Sequence, residues 1–209
     1  MSSAQKVQYT FKGLFDKILA FILLVIFSPI LILISILIKL DSKGPAIFKQ
    51  QRLGRNGRVF TIYKFRTMRD NAVNMGDGIF TSKNDKRITR MGKLLRKTSL
   101  DEVPQVLNIL KGEMSFVGPR PPLVDHPYKY ENYDEKQKQR FVILPGISGY
   151  AQAYGRNALP WPERIEMDIF YYYNFSLLLD IKIIVATFLT VITSKGTYST
   201  RSNKEKKAE

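Results

Sequence analysis

The chain has 209 residues and a formal net charge of +15 at pH 7. That length holds one domain with a real core plus an appended element. It has no cysteine and one histidine, His126, which excludes disulfides, thiolate catalysis, zinc–thiolate sites and multi-histidine metal centres. A basic excess points to nucleic acid, an anionic membrane face or anionic substrates. No zinc-finger spacing or aromatic RNA-binding strand is present, so nucleic acid is not expected as a partner. Acid, base and nucleophile must come mainly from Asp, Glu, Lys, Tyr, Ser or Thr.

Ile18 to Ile38 carries no charge over 21 positions, about 30 Å as a straight helix and enough to cross a bilayer core. It is too long for a cleaved leader, and no small-residue cleavage site follows. Ser28-Pro29 sits inside the run, where proline removes a helical hydrogen bond. Both flanks are basic, with Lys6, Lys12 and Lys17 before and Lys39, Lys43, Lys49, Arg52, Arg55 and Arg58 after. A single pass usually has its positive bias on one side. Two readings therefore stand together: a kinked single-pass anchor, or a re-entrant hairpin with both ends cytoplasmic.

Residues 44–66 alternate apolar and polar around Asn56-Gly57, which predicts a β-hairpin. Residues 70–86 read as a mobile loop. Ile88 to Leu95 predicts a short helix carrying Arg87, Arg90, Lys93 and Arg96. Leu100 to Leu110 predicts a second, with Val103, Val106, Leu107 and Leu110 on one face. Residues 128–142 read as a charged surface helix, Pro145 to Gly149 as a turn, and Trp161 to Tyr173 as an aromatic-rich helix. Phe175 to Ile192 is apolar but holds Asp180 and Lys182, which suits a surface-seeking amphipathic helix. It is expected to touch the membrane together with Trp161 or nearby tyrosines. The polar tail from Lys195 reads as disordered. The predicted class is mixed α/β, mostly helical. Its parts are a membrane region at 1–40, a catalytic unit at 41–194 and a tail at 195–209.

The chemistry concentrates at Ser99-Leu-Asp101-Glu102-Val-Pro104. Ser99-x-x-Glu102 has the form of a capping box, a purely structural use of these residues. The same helix start, with Arg96 and Lys97 nearby, favours ionised carboxylates and makes Asp101 a candidate nucleophile. Neighbours on a helix diverge by about 100°, so one carboxylate can attack while the other holds a metal. In Gly118-Pro119-Arg120-Pro121-Pro122, three prolines restrict one arginine, and a held guanidinium binds phosphate with less entropy loss. Lys64-Phe65-Arg66-Thr67-Met68 offers either exposed strand cations or a second phosphate contact. Gln152, Arg156-Asn157, Glu163, Glu166 and Asp168 carry weaker signals, as substrate contacts or surface residues.

These motifs in order resemble the bacterial sugar transferase family, the monotopic phosphoglycosyl transferases. The resemblance runs from about Phe11 to Ser194. It is carried by Ser28-Pro29, Gly44-Pro45, Phe48-Lys49-Gln50, Tyr63 to Met68, Arg96 to Gln105, Asn108 to Ser115, Gly118 to Pro121, and Pro145 to Gln152. It implies a re-entrant helix broken at Ser28-Pro29, monotopic attachment at the cytoplasmic face of the cell or inner membrane, and contact with membrane lipids. It implies transfer of a sugar 1-phosphate from a UDP-sugar to polyprenol phosphate, typically undecaprenyl phosphate, with release of UMP as the first membrane step of glycan assembly. Asp101 would carry the phosphosugar in a ping-pong mechanism, and Glu102 would help bind Mg²⁺. Arg120 would bind phosphate, with Lys64 and Arg96 in support. Asp168 matches an acidic position of the family, while Gln152 and Arg156 would serve the substrate or the fold. Leu144 stands where the family often has arginine, which removes one expected anion contact. The expected form is a minimal one, without the large N-terminal membrane region of longer relatives. A homo-oligomer is compatible with the sequence. The rival reading is a non-catalytic scaffold that binds anionic membranes through its basic surface, and a single-step transferase is a third.

Overall fold

The structure is a computed structural model that describes residues 1–72, 75, 85–155 and 159–192. Most of the loop expected at 70–86, the tail from Lys195, and Arg156-Asn157 lie outside the described residues. Helix α1 runs from Ser3 to Asp41. Ser2 Oγ accepts from Gln5 N–H at 3.2 Å, and Gln5 Oε1 accepts from Ser2 N–H at 2.7 Å, a capping box that starts it. Pro29 lies inside and cannot donate to Val25 O, its acceptor four residues back. Ser28 Oγ donates to that carbonyl at 2.9 Å. The serine thus replaces the hydrogen bond that its proline neighbour removes, and the helix continues.

One stripe of α1 faces the body of the protein. Lys12, Asp16, Ala20, Ile34 and Ile38 are buried. Leu24 packs on a core of Ala20, Ile62, Val106, Ile109 and Met114. Leu31 packs on a second core of Ile34, Ile38, Ala46, Phe65 and Leu95. The opposite face, including Phe11, Phe15, Phe21, Val25, Ile26 and Leu33, is exposed.

Strands β1 (Ile47–Leu53) and β2 (Val59–Phe65) form the expected antiparallel hairpin, with Ile47 opposite Phe65 and Leu53 opposite Val59. Its loop uses Asn56 at φ 54° and Gly57 at φ 74°, the left-handed conformations that Asn-Gly adopts most readily. Helix α2 (Arg90–Thr98) begins at Thr89, whose hydroxyl accepts from Gly92 N–H at 2.9 Å. Asp41, at the end of α1, accepts from Met91 N–H at 2.9 Å. Arg66 closes the same corner: it donates to Ser42 O at 2.6 Å and Lys43 O at 2.8 Å. Arg66 is therefore buried beneath the C-terminus of α1 rather than placed for a phosphate.

The expected helix from Leu100 to Leu110 divides in two. Leu100–Gln105 is a 3₁₀ turn, and α3 spans Val106–Leu110. Pro104 lies at the junction and has no N–H to continue an α-helical ladder. A short parallel pair follows, β3 (Ser115–Val117) and β4 (Gly146–Ser148). The expected turn at Pro145–Gly149 is thus a strand. Its glycines serve close backbone approach: a Cβ on Gly146 would lie 2.1 Å from Gly118 N, and one on Gly118 would lie 2.4 Å from Leu144 O.

The charged helix expected at 128–142 does not form. Two short 3₁₀ turns stand there, at Tyr130–Asn132 and Gln137–Phe141. Asp134 and Gln137 satisfy each other's backbone N–H groups with their side chains, at 2.7 and 3.2 Å, which restarts the chain between the turns. Tyr133 and Phe141 then pack on Leu53, Ile165 and Ile169.

Helices α4 (Tyr150–Tyr154), α5 (Trp161–Tyr173) and α6 (Leu177–Ile192) complete the fold. Trp161 packs edge-on against His126, with ring centroids 5.9 Å apart. In α6 the acidic side chain turns inward: Asp180 is buried, while Lys182 and the apolar Leu178, Ile181, Val185 and Phe188 are exposed. Asp180 Oδ2 meets Lys12 Nζ of α1 at 2.8 Å, and Tyr171 OH donates to Asp180 Oδ1 at 2.6 Å. Gln5 Nε2 donates to Tyr173 O and Phe175 O at 3.0 Å each. The start of α1 and α6 are held together by these contacts.

Candidate active site

Three segments meet at one place: β2 with Lys64, the 3₁₀ turn with Asp101 and Glu102, and the loop after β3 with Arg120. Asn108, fully buried, fixes the first two. Its Oδ1 accepts from Tyr63 N–H at 3.2 Å, and its Nδ2 donates to Thr61 O and Glu113 Oε2 at 2.7 Å each. The side chain behaves as a short extra strand along β2 and sets the position of the turn. The sequence signal was a lone amide among Val106, Leu107 and Ile109.

Ser99 does not cap this turn. It is left-handed, φ 57° and ψ 15°, and ends α2, with its N–H bonded back to Arg96 O. No side-chain cap is formed at the turn, so the carboxylate of Glu102 is turned to Lys64 and Arg120 instead. Lys64 Nζ stands 2.5 Å from Glu102 Oε1, and Arg120 Nη2 donates to the same oxygen at 3.3 Å. Burial raises the Glu102 carboxyl, but the two cations more than reverse this and bring it down to about 2. Lys64 is pushed below its ordinary value by burial, which outweighs the pull of Glu102. Asp101 moves the other way. Burial and the adjacent Glu102 charge raise its carboxyl, with Lys64 and Arg96 opposing. A helix start alone favours an easily ionised Asp101; burial and the Glu102 charge make it instead the more basic of the pair.

The Arg120 loop is fixed through its carbonyls, since Pro119, Pro121 and Pro122 have no N–H. Pro119 O accepts from Gly146 N–H at 3.0 Å and Pro122 O from Leu53 N–H at 3.0 Å. Arg120 O accepts from Arg140 Nη2 at 3.0 Å, and Pro121 O from Arg52 Nη1 at 3.0 Å. Arg140 is itself buried and paired with Asp168 at 2.6 Å. Asp168 is therefore a support for Arg140 and, through it, for the loop. Arg140 lies in the stretch that reads from its charges as a surface helix, and no local signal marks its burial.

Arg96 donates Nε–H to Thr67 Oγ1 at 2.9 Å, and its charge acts on Asp101. Gln152 lies apart from the carboxylates, donating to Ile147 O at 2.8 Å. Leu144 donates its N–H to Tyr9 OH at 2.7 Å. Ser28 and Pro29 serve α1 alone. The donor set suits a hard divalent cation: Glu102 uses only Oε1 for its cations, Asp101 is adjacent, and Mg²⁺ takes one or two carboxylates with substrate phosphates as further ligands. Among the described residues no group of three or more acidic or histidine side chains could form an all-protein metal cage.

Two adjacent carboxylates thus stand among the cations Lys64, Arg96 and Arg120, in a chain that also carries one long apolar helix. The chain belongs to the bacterial sugar transferase family, whose sequence profile matches residues 7–194. It is 43% identical over 189 residues to a Bacillus subtilis protein titled uncharacterized sugar transferase EpsL, covering 90% of this chain and 91% of that one. It is also 43% identical over 195 residues to the UDP-glucose:undecaprenyl-phosphate glucose-1-phosphate transferase of Xanthomonas campestris, covering 90% of this chain and 40% of that one. A UDP-N-acetylgalactosamine-undecaprenyl-phosphate N-acetylgalactosaminephosphotransferase of Aeromonas hydrophila is 41% identical over 184 residues, with 87% and 43% covered. The chain thus spans nearly all of the first relative and about two-fifths of the other two.

Proposed function

We propose that this protein transfers a sugar 1-phosphate from a UDP-sugar to polyprenol phosphate, with undecaprenyl phosphate as the acceptor, and releases UMP. The carrying observation is Glu102 held ionised by Lys64 and Arg120 directly beside the more basic Asp101. The pair divides into a fixed anion and a nucleophile. A carboxylate oxygen of Asp101 attacks the sugar-proximal phosphorus. The bond from that phosphorus to the bridging oxygen breaks, and UMP leaves with the electron pair. Polyprenol phosphate then attacks the same phosphorus through a phosphate oxygen, and Asp101 leaves as carboxylate. Arg120 binds the transferred phosphate, while Lys64 and Arg96 stabilise its negative charge. Glu102, with Asp101 beside it, would hold Mg²⁺, which neutralises diphosphate charge when bound.

The membrane reading is re-entrant and monotopic, with the site on the cytoplasmic face. As a straight helix α1 would measure about 58 Å, nearly twice a hydrocarbon core. Its inner stripe contacts the body at Ala20, Leu24, Leu31 and Ile34, within the apolar run itself. A helix crossing the bilayer would separate those positions from a body that carries Lys64 and Glu102. The exposed apolar faces of α1 and α6 together supply a lipid-contacting surface. Residues 1–40 are then the membrane region and 41–194 the catalytic unit.

The test is a quench experiment on the full chain with UDP-sugars and no lipid acceptor. It is expected to release about one UMP per active site and to leave a phosphosugar adduct, as a covalent intermediate requires. Asp101→Asn is expected to form no adduct. Turnover without an adduct would favour direct attack by the acceptor. Membrane binding with no UMP release from any UDP-sugar would favour the scaffold.

A further inference from the structure

Arg52, next to last in β1, brings another cation to the site. Its strand end is bridged to Leu123, and Leu53 N–H bonds Pro122 O, so it sits against the Arg120 loop. Arg52 Nη1 donates to Pro121 O at 3.0 Å, while Nε and Nη2 donate to Gln50 Oε1 at 3.1 and 2.6 Å. Three of its five donors are thus bonded, all to neutral acceptors, and one N–H remains on each terminal nitrogen. Among the described residues no carboxylate forms an ion pair with it. Burial, and then the charge of Arg120, bring its pKa down to about 10, with Glu102 opposing. It is still a cation at neutral pH, aligned by neutral dipoles and repelled by a neighbouring guanidinium.

The charge balance of the whole site points the same way. Lys64, Arg52 and Arg120 are three cations set around two carboxylates, Asp101 and Glu102. The surplus matches a diphosphate bridge, which carries negative charge on each of its phosphates. A poorly compensated, partly desolvated cation is stabilised when such an anion arrives.

We infer that Arg52 is a second guanidinium contact for the donor diphosphate, beside Arg120, with Gln50 as the residue that orients it. The inference rests on the UDP-sugar reading above. Its distinguishing consequence is that Arg52 binds phosphate itself, besides holding Pro121 O.

The test is calorimetric binding of UDP and of uridine to the detergent-solubilised full chain. Wild type is expected to bind UDP more tightly than uridine. Arg52→Gln is expected to weaken UDP by about tenfold or more, the scale of one charge-assisted hydrogen bond, and to leave uridine unchanged. Unchanged UDP affinity in a folded Arg52→Gln protein overturns the inference. If that variant does not fold, Arg52→Lys keeps the charge but loses the fork; a loss of threefold or more supports the inference, and unchanged affinity overturns it. The Arg120→Gln background separates contact from positioning. A further loss on adding Arg52→Gln supports direct contact; no further loss means that Arg52 acts only through the loop, and overturns it. A wild-type chain that binds UDP no better than uridine overturns the transferase reading itself.

Discussion

Lys64 Nζ and Glu102 Oε1 stand 2.5 Å apart, and Arg120 reaches that same oxygen at 3.3 Å. The carboxyl of Glu102 is consequently brought from 4.5 to about 2 on folding. A lowered folded-state value contributes stability above the unfolded value, and that contribution is lost as pH falls toward the folded one. Wild type is expected to lose about 2 to 3 kcal/mol from this group between pH 4.5 and about 2. Glu102→Gln has no such group to protonate. Thermal melts in detergent across this range are expected to show a shallower acid decline for Glu102→Gln than for wild type. Parallel curves would mean that the contact does not hold Glu102 ionised.

Asp101 is raised by burial and by the Glu102 charge, and in the proposed reaction its carboxylate is the attacking form. UMP release is therefore expected to rise with pH on an acid limb lying above the ordinary aspartate value of 3.8. Removing the like charge with Glu102→Gln is expected to lower the rate by about a hundredfold or more and to move that limb to lower pH. A limb that stays in place in the variant would assign it to another group.

How much of this was readable in the sequence follows from the range of the interactions. The hairpin was legible because Asn56-Gly57 and the alternation around it are local signals. Helices α5 and α6 were legible from apolar periodicity, although the buried side of α6 was not. Asp180 looks like a solvent-facing charge until Lys12, from the other end of the chain, is placed beside it. Ser99-x-x-Glu102 had the right spacing for a cap, but a left-handed Ser99 and the pull of Lys64 overrode it. Asp101, Glu102, Arg120 and Lys64 each stand in a motif that local chemistry marks, and the resemblance gives them roles; that they meet is a tertiary fact. Arg140 and Arg52 stayed hidden because each also reaches a backbone carbonyl of a distant proline-rich loop, a link that no spacing rule marks.

Arg140 and Asp168 are both almost fully buried, and Arg140 also holds Arg120 O. Asp168→Asn leaves an uncompensated buried guanidinium and is expected to destabilise the protein by about 3 to 5 kcal/mol. Replacing both partners, as Arg140→Met with Asp168→Leu, is expected to recover much of that loss, since an apolar pair carries no desolvation penalty. The double variant still removes the donor to Arg120 O. Its melting temperature should therefore recover while UMP release stays low. Joint recovery of both would show that the pair serves stability alone.

Ser28 Oγ fills the hydrogen bond that Pro29 takes from Val25 O, so the two residues tolerate a bend without leaving a bare carbonyl, as the proposed membrane placement requires. If α1 is re-entrant, both of its ends lie on the cytoplasmic side. The chain has no cysteine, so single cysteines report topology cleanly. Ser3→Cys and Lys43→Cys are each expected to react with a membrane-impermeant maleimide only when the cytoplasmic face is exposed. Labelling from opposite faces would make α1 a spanning helix. Ser28→Ala with Pro29→Ala returns a backbone N–H to this point of an apolar helix long enough to cross the core and so disfavours a bend there; it is expected to shift part of the population toward labelling from opposite faces. Catalytic output should fall in step with that shift, because a spanning α1 pulls Ala20 and Ile34 away from the two cores that support the 3₁₀ turn and β2.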